Sequence, residues 1–232
     1  MSYYEFGIDN TPACYLTNLI IAITNIFIFI NIKQKPINLL DIVALKLFYL
    51  SDTITHLCGF YYHLFIGVNE LINNPDYLWI LITGVNDFSR NIIIFSFLIN
   101  RLYISKKLGI IFSFMLSLFN IYNTYHFPNK MLYLNTLLNF NKYWIHIING
   151  ILLKNIMYLC VGIFGLCHEL MYILYRIIFK NIDKDEEYDG VLSQSFNHNA
   201  VYHLNWALYN YLLYYVLTNF KDHLNAKRVK LM

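Results

Sequence analysis

The sequence predicts an all-α protein, a multi-pass transmembrane bundle of seven helices. Of its 232 residues, 58% are hydrophobic and only 13% are charged, whereas soluble domains typically carry about 25% charged residues. Several apolar runs also reach the roughly 18 residues at which an α-helix can cross a bilayer. The length suits one bundle, so residues 1–232 are expected to form a single integral membrane domain.

Seven apolar runs, each long enough to form a membrane-spanning helix, follow one another along the chain. They cover residues 15–32, 39–66, 77–100, 108–125, two stretches within 132–179, and 200–220. A break near Gly150 and Lys154 is expected to separate the two stretches within 132–179. Asn139, Asn141 and Lys142 make the first of these stretches poor in apolar residues, which leaves a six-span bundle as the alternative.

Basic residues follow alternate spans, which favours an odd number of spans. They are Lys33 and Lys35 after the first, Arg101, Lys106 and Lys107 after the third, Lys154 between the fifth and sixth, and Lys221, Lys227, Arg228 and Lys230 after the seventh. Cytoplasmic loops of membrane proteins carry an excess of Lys and Arg. The sequence therefore predicts an N-terminus that is outside or lumenal and a cytoplasmic C-terminus.

The second span carries ionisable residues at helical spacing, within the segment SDTITHLCGFYYH. Asp52 and His56 are four residues apart, so a helix places them on one face. His63 lies about three turns beyond Asp52 and returns to the same stripe. A charged residue at the centre of a membrane helix costs at least about 2.5 kcal/mol, so these side chains are expected to face the bundle interior. They either serve a reaction or form a polar pair that fixes helix packing.

The last span carries a second polar stripe, within FNHNAVYHLNWALYN. Asn199, His203, Trp206 and Asn210 recur at helical spacing, and His198 precedes them at the mouth of the span. Polar groups in lipid need hydrogen-bond partners, so this stripe is also expected to face the bundle. The structural alternative is hydrogen bonding between helices without catalysis.

The third span contains an aspartate, in GVNDFSRN. Asp87 is three residues before Arg90 and four before Asn91, so an ion pair with Arg90 within the helix is one interpretation. The other has Asp87 facing His56 and His203, where it could orient a water molecule or balance a bound cation.

Imidazoles from the second and last spans could together bind zinc. Zinc takes three or four nitrogen, sulfur or oxygen ligands in a tetrahedral array, and a bound water then supplies hydroxide near neutral pH. His56 and His203 could meet between two spans, with His198 or His63 as a third ligand. The predicted site consists of the metal ligands His56, His198 and His203 and the catalytic residues Asp87 and Asp52, with Asn199 as an orienting residue.

Other residues are predicted to be structural. The cysteines form no CxxC motif and are expected to be packed free thiols; they are Cys14, Cys58, Cys160 and Cys167. Histidines near span ends are expected at the membrane interface; they are His126, His146 and His223. His168 and Glu169 point about 100° apart on a helix and are not expected to act as one site.

The net charge of +3 is too small to indicate nucleic-acid binding.

These motifs resemble those of a superfamily of seven-span membrane hydrolases and receptors that includes the alkaline ceramidases, the adiponectin-receptor-like proteins and the myomaker-like proteins. Its pattern is a Ser or similar residue four before a His in span two, an Asp in span three and HxxxH in span seven. Asp52 and His56 are similar to the first pair, Asp87 to the aspartate and His203 to the second His of HxxxH. The resemblance implies a seven-span fold and a zinc site. Asn199 departs from it by standing where the first His belongs.

The ends of the chain also resemble a group of uncharacterised seven-span proteins with a similar plan. TPACYLTNLIIA and FNHNAVYHLNWALYNYLLYY carry this likeness. In that group the HN-xxx-H arrangement of the last helix is normal, so Asn199 would be a feature of the group. This second resemblance implies no activity.

Three functions are compatible with these patterns. The first is zinc-dependent hydrolysis of a lipid amide or ester. The second is a non-enzymatic membrane receptor or membrane-remodelling protein that keeps the polar cluster for structure or ligand binding. The third is a transporter or proton relay, which is the least favoured because no inverted halves or Gly/Pro-broken helices are visible. Membrane lipids are the expected partners in each case.

Overall fold

The computed structural model describes residues 12–32, 39–66, 84–89, 91–92, 106–126, 142–151, 154–179 and 198–219. Within those ranges the chain is helical and contains no strand, so the predicted all-α class is confirmed. Its helices are α1 (Pro12–Asn31), α2 (Leu39–Tyr61), α3 (84–89 and 91–92), α4 (Lys106–His126), α5 (142–151), α6 (Ile156–Phe179) and α7 (His198–Asn219).

Helix α1 is central because it packs against both α2 and α7, and α7 in turn packs against α6. Pro12 is the first residue of α1, where its fixed φ suits a helix start and its missing N–H costs nothing. The buried stripe of α1 includes Thr17, Asn18 and Asn25, whereas Phe27 on another side is exposed. The face that α1 turns to its neighbours is therefore the more polar one.

Helix α2 ends in a single π-helical turn, Tyr62–Ile66, that continues directly from Tyr61. A π turn widens the helix by one residue and shifts the side chains that follow. His63 lies in this turn and still packs towards α1 and α7. The span predicted for residues 39–66 is thus an α-helix that ends in one π-helical turn.

The break predicted near Gly150 and Lys154 is confirmed as a tight turn between α5 and α6. Lys154 has a φ of 52°, in the left-handed region, and its N–H donates to the Ile151 carbonyl at 3.1 Å. Asn155 then caps α6, because its Oδ1 accepts the backbone N–H of Tyr158 at 3.1 Å. The two helices form a close antiparallel hairpin.

Among the residues that the structure describes, α1 is the one helix that is long and apolar enough by itself to cross a membrane. Shorter apolar stretches lie in α4 and α6, at Lys107–Asn123 and Ile156–Met171. Core helices of soluble proteins and signal sequences share the length and composition of α1. Most of the third predicted span, residues 77–100, lies outside the described ranges.

Candidate functional site

Asp52 of α2 is fully buried, and its Oδ2 accepts hydrogen bonds from two other helices. Asn25 of α1 and Asn210 of α7 each donate through Nδ2 at 2.7 Å, and Trp206 of α7 donates through Nε1 at 3.0 Å. Asn210 Nδ2 also donates to Asn25 Oδ1 at 2.9 Å. The Tyr49 hydroxyl donates to the Asn210 backbone carbonyl at 2.8 Å. One carboxylate oxygen therefore holds α1, α2 and α7 together.

His56 lies one turn beyond Asp52, and α1 fixes the orientation of its ring. Asn18 donates its Nδ2 to the Cys14 carbonyl at 3.1 Å, which turns its Oδ1 towards His56 Nδ1 at 2.8 Å. An amide oxygen only accepts, so His56 Nδ1 carries the proton. In the neutral ring, Nε2 then has the free lone pair, and it lies 3.7 Å from Asp52 Oδ1.

The close approach of α1 to α2 at this point depends on a glycine. A Cβ added at Gly59 would lie 2.9 Å from Asn18 Oδ1, inside van der Waals contact. Gly59 therefore leaves the space in which the Asn18 amide meets His56.

His203 of α7 lies against the same stretch of α1. Its Nδ1 is 3.1 Å from Thr17 Oγ1 and 3.3 Å from Asn18 Nδ2. Its ring centroid is 6.0 Å from that of His56 and 6.2 Å from that of His63. We call His56, His63 and His203 the imidazole cluster.

Cys14, in the first turn of α1, completes the surroundings of the imidazole cluster. Its Sγ lies 3.5 Å from His63 Nε2 and 3.9 Å from His203 Nδ1. The four cysteines are free, as predicted, but Cys160 and Cys167 are exposed on α6, so the expectation that they are packed is wrong for these two. Cys14 differs from the expected packed thiol because its sulfur contacts two ring nitrogens.

A buried cation lies on the other side of Trp206. Lys142 of α5 is fully buried, and its Nζ is 3.8 Å from the Trp206 ring centroid, 5.0 Å from that of Tyr209 and 4.8 Å from that of Tyr143. Trp206 thus presents its ring face to Lys142 and its N–H to Asp52. The aromatic rings stabilise the ammonium group through cation–π attraction.

His146 is fully buried inside the bundle, and its position at the membrane interface stays a prediction. Its Nε2 is 2.8 Å from the Tyr209 hydroxyl and its Nδ1 is 3.3 Å from the Tyr158 hydroxyl. Those two hydroxyls satisfy the ring inside the bundle, a pairing that the local sequence around His146 does not reveal. His126, by contrast, is exposed.

His168 and Glu169 are both buried in α6. The His168 ring stacks on Tyr202 of α7 with 4.3 Å between centroids, and the Tyr202 hydroxyl donates to Glu169 Oε2 at 3.5 Å. The two side chains contact one tyrosine of the neighbouring helix, which is consistent with a role in packing.

The structure brings together three of the predicted site residues, Asp52, His56 and His203. The contacts just described for them come from α1, α2 and α7. Asp87 is buried in α3 together with Asn91. The backbone of α7 begins at His198, but the side chains of His198 and Asn199 lie outside the described residues, so their predicted roles stay predictions.

Within the described ranges, no group of three or more His, Cys, Asp or Glu side chains is arranged to hold a metal ion. Two of the three predicted zinc ligands, His56 and His203, are neighbours. The third, His198, has no described side chain. Zinc binding at these residues stays a prediction.

Several residues that shape the site were not predicted. Asn18 and Asn25 lie in an apolar run, and no charged residue nearby in the sequence indicates that they belong to a site. A signal is present nonetheless, because Cys14, Asn18, Ile21 and Asn25 recur every three or four residues and form one stripe, with Thr17 beside it. Polar residues on one stripe of an apolar helix indicate the side that faces a protein partner.

Comparisons with protein-family models, with curated proteins and with solved structures found no match for this chain.

Proposed function

We propose that this chain is a multi-pass membrane protein with seven helical spans, an outside or lumenal N-terminus and a cytoplasmic C-terminus. Helix α4 supports this proposal because its polar side chains are buried and its large apolar side chains are exposed. Ser113, Ser117 and Asn120 are buried, whereas Phe112 and Phe119 are more than half exposed. A soluble helix buries its apolar side and exposes its polar side. Lipid is the solvent that favours the opposite arrangement.

The outer surface of other described helices is apolar as well, around a core that contains both apolar and polar side chains. Large exposed apolar side chains cover α1, α4 and α6; among them are Ile23, Phe27, Ile30, Ile111, Met115, Ile163, Met171 and Leu174. Soluble monomers rarely expose contiguous apolar patches larger than a few hundred Å². The buried side chains include Asp52, Lys142 and Glu169, and each has a partner on another helix: hydrogen-bond donors for Asp52, aromatic rings for Lys142 and the Tyr202 hydroxyl for Glu169.

We further propose that the site hydrolyses an ester or amide bond of a membrane lipid. The supporting observation is that two hydrogen-bond acceptors face each other, His56 Nε2 and Asp52 Oδ1, 3.7 Å apart. Asp52 Oδ1 accepts no hydrogen bond from the described residues. A water molecule between them would donate one hydrogen to each acceptor. His56 would then remove the proton of that water as a general base, and Asp52 would stabilise the resulting imidazolium.

Hydrolysis is tested with the purified protein in nanodiscs of phosphatidylcholine that also contain ceramide. Release of free fatty acid is measured by mass spectrometry. We expect His56→Gln to lower the rate by about 100-fold or more, the usual contribution of a general base. His168→Gln is the matched control, because His168 is a buried histidine outside the imidazole cluster. A wild-type protein without fatty-acid release, or a His56→Gln variant with the full rate, would contradict the proposal.

Zinc is a second route to the same hydrolysis, with His56, His198 and His203 as ligands. A ligand histidine usually donates its other ring N–H to a carbonyl or carboxylate oxygen, and His56 does so to Asn18 Oδ1. A bound zinc ion would supply a water that ionises near neutral pH. Asp52 and Asp87 would be the acidic groups that orient this water.

Metal analysis of the purified protein distinguishes the two routes. The zinc route predicts about one zinc per chain in the wild type, reduced in His203→Ala. A metal-free protein with full hydrolytic activity would exclude that route and leave the imidazole base in place.

The alternative function is that of a non-enzymatic receptor or membrane-remodelling protein. It is favoured by the number of hydrogen bonds that Asp52 Oδ2 accepts, because such a carboxylate serves to join helices. In that case, His56→Gln and His203→Ala would leave lipid composition unchanged in both nanodiscs and cells.

A further inference from the structure

The surroundings of Cys14 differ from those of an ordinary buried thiol. A buried free cysteine usually packs against apolar side chains as a small hydrophobic residue. Cys14 instead places its Sγ 3.5 Å from His63 Nε2 and 3.9 Å from His203 Nδ1. A thiol within hydrogen-bond reach of an imidazole is the arrangement of an activated nucleophile.

The backbone on both sides of this pair favours reactivity. Cys14 is the third residue of α1, where the positive end of the helix dipole stabilises a thiolate. His63 lies in the π-helical turn Tyr62–Ile66, and such turns frequently occur at functional sites. These two features are independent of the distance between sulfur and nitrogen.

We propose that Cys14 is an acyl-accepting nucleophile and that His63 is its general base, acting on the ester of a long-chain acyl group. The inference rests on the proposed lipid hydrolysis and divides it into two steps: Cys14 attacks the ester first, and the water between His56 and Asp52 attacks the thioester that results. His203 contacts the same thiol and acts as a positioning residue.

Two steps complete the reaction. In the first, the thiol proton passes to His63 Nε2 while Sγ attacks the ester carbonyl carbon. The bond from that carbon to the alkoxy oxygen breaks, and the leaving alcohol takes the proton from His63. In the second, the water between His56 and Asp52 gives a proton to His56 and attacks the thioester carbonyl. The fatty acid leaves, and the Cys14 thiol is restored when that proton returns to sulfur.

Approach of the acyl ester is easiest from the side of His63. Cys14 has no exposed surface, whereas His63 is only half-buried and is followed by the exposed Leu64 and Phe65. A lipid chain lying along these apolar side chains would bring its carbonyl group to the ring of His63 first. The thiol is next to that ring.

The experiment uses the full chain in detergent micelles with 4-nitrophenyl palmitate as the acyl donor. Turnover is followed by release of nitrophenol, and the acyl adduct is located by peptide mass spectrometry and by its removal with neutral hydroxylamine. The variants are Cys14→Ser, Cys14→Ala and His63→Gln. Cys160→Ala is the matched control, since Cys160 is an exposed thiol on α6. Helical circular dichroism of each variant establishes that it is folded.

We expect a hydroxylamine-sensitive palmitoyl adduct on Cys14 in the wild type and in Cys160→Ala. His63→Gln should slow formation of this adduct by about 100-fold, and Cys14→Ala should abolish both adduct and turnover.

Turnover that persists in folded Cys14→Ala or Cys14→Ser without an adduct would overturn the inference and leave the proposed hydrolysis standing. An adduct on Cys14 without turnover would support the inference and count against the proposed hydrolysis. The absence of both from the wild type would overturn both.

Discussion

At the scale of single residues, the structure separates the two oxygens of Asp52 by their roles. Oδ2 accepts N–H groups from Asn25, Trp206 and Asn210 and is used for packing. Oδ1 accepts no hydrogen bond from the described residues and faces His56. A single carboxylate can therefore fix the helices and orient a water molecule. Replacement of Asp52 removes both functions together.

The packing role predicts a large loss of stability on replacement of Asp52. Asp52→Ala leaves three buried N–H donors without their acceptor, each at a cost of about 1 kcal/mol or more. We expect the free energy of unfolding in mixed detergent micelles to fall by about 3 kcal/mol. Ser51→Ala is the matched control, because the buried Ser51 hydroxyl donates within its own helix, to the Leu47 carbonyl. Equal stability of the two variants would show that the network contributes nothing to stability.

Residue-scale features were predictable where they depended on helical spacing. The pairing of Asp52 with His56 follows from their separation by four residues, and the inward position of His203 follows from the polar stripe of α7. A stripe of polar residues in the sequence marks the inward face of α1, but the particular contacts that its asparagines make were not predictable. Asn25 and Asn210 are 185 positions apart in the chain, and no local pattern encodes a contact over that separation. The contact between Lys142 and Trp206 was not predictable for the same reason.

At the scale of helices, the hairpin of α5 and α6 shows how small residues set the distance between elements. A Cβ added at Gly162 would lie 2.7 Å from the Ile147 backbone nitrogen and 3.0 Å from the Tyr143 carbonyl. Neither backbone atom can move without displacing the whole helix. Glycine is therefore required at this crossing, as in other closely packed membrane helices.

Gly162→Ala is predicted to separate α5 from α6 and to lower the thermal unfolding midpoint by several degrees, about the effect of 1–2 kcal/mol in a chain of this size. Ile163→Ala is the control, because Ile163 is adjacent but 45% exposed on the outer face. Thermal unfolding is followed by circular dichroism in detergent. A larger loss in Ile163→Ala than in Gly162→Ala would contradict the packing that we describe.

Helix limits were largely predictable because apolar runs and their breaks mark them. Six of the seven predicted spans overlap substantially with helices in the described ranges, and the turn at Lys154 lies where the sequence placed it. The π turn at Tyr62–Ile66 was not predicted. An apolar run shows where a helix lies but does not distinguish a pitch of 3.6 residues from a wider local turn.

At the level of the complete bundle, the described helices bury polar side chains beside an apolar core and leave many large apolar side chains exposed. This exposed apolar surface is why we propose a bilayer location. The odd number of proposed spans places the two ends of the chain on opposite sides. The distribution of Lys and Arg then sets the direction.

This topology predicts different accessibility for the two ends of the chain. When only the plasma membrane is permeabilised, a tag after Met232 should react with an antibody that reaches the cytosol. A tag before Met1 should react in intact cells if the N-terminus is outside, or only after all membranes are permeabilised if it is lumenal. The protein should also stay in the membrane fraction after carbonate extraction. A protein released by carbonate, or tags that both react from one side, would exclude the seven-span arrangement.

Helices α1, α2 and α7 bring the rings of His56 and His203 to one place around Asn18. Solid-state NMR of the protein in lipid bilayers, with labelled histidine and asparagine, measures this arrangement most directly. We predict a hydrogen-bonded Nδ1 of His56 at 2.8 Å from Asn18 Oδ1, together with magnetisation transfer between the His56 and His203 rings, whose centroids lie 6.0 Å apart. Transfer from Asn18 to neither ring, with the two rings out of contact, would contradict the account.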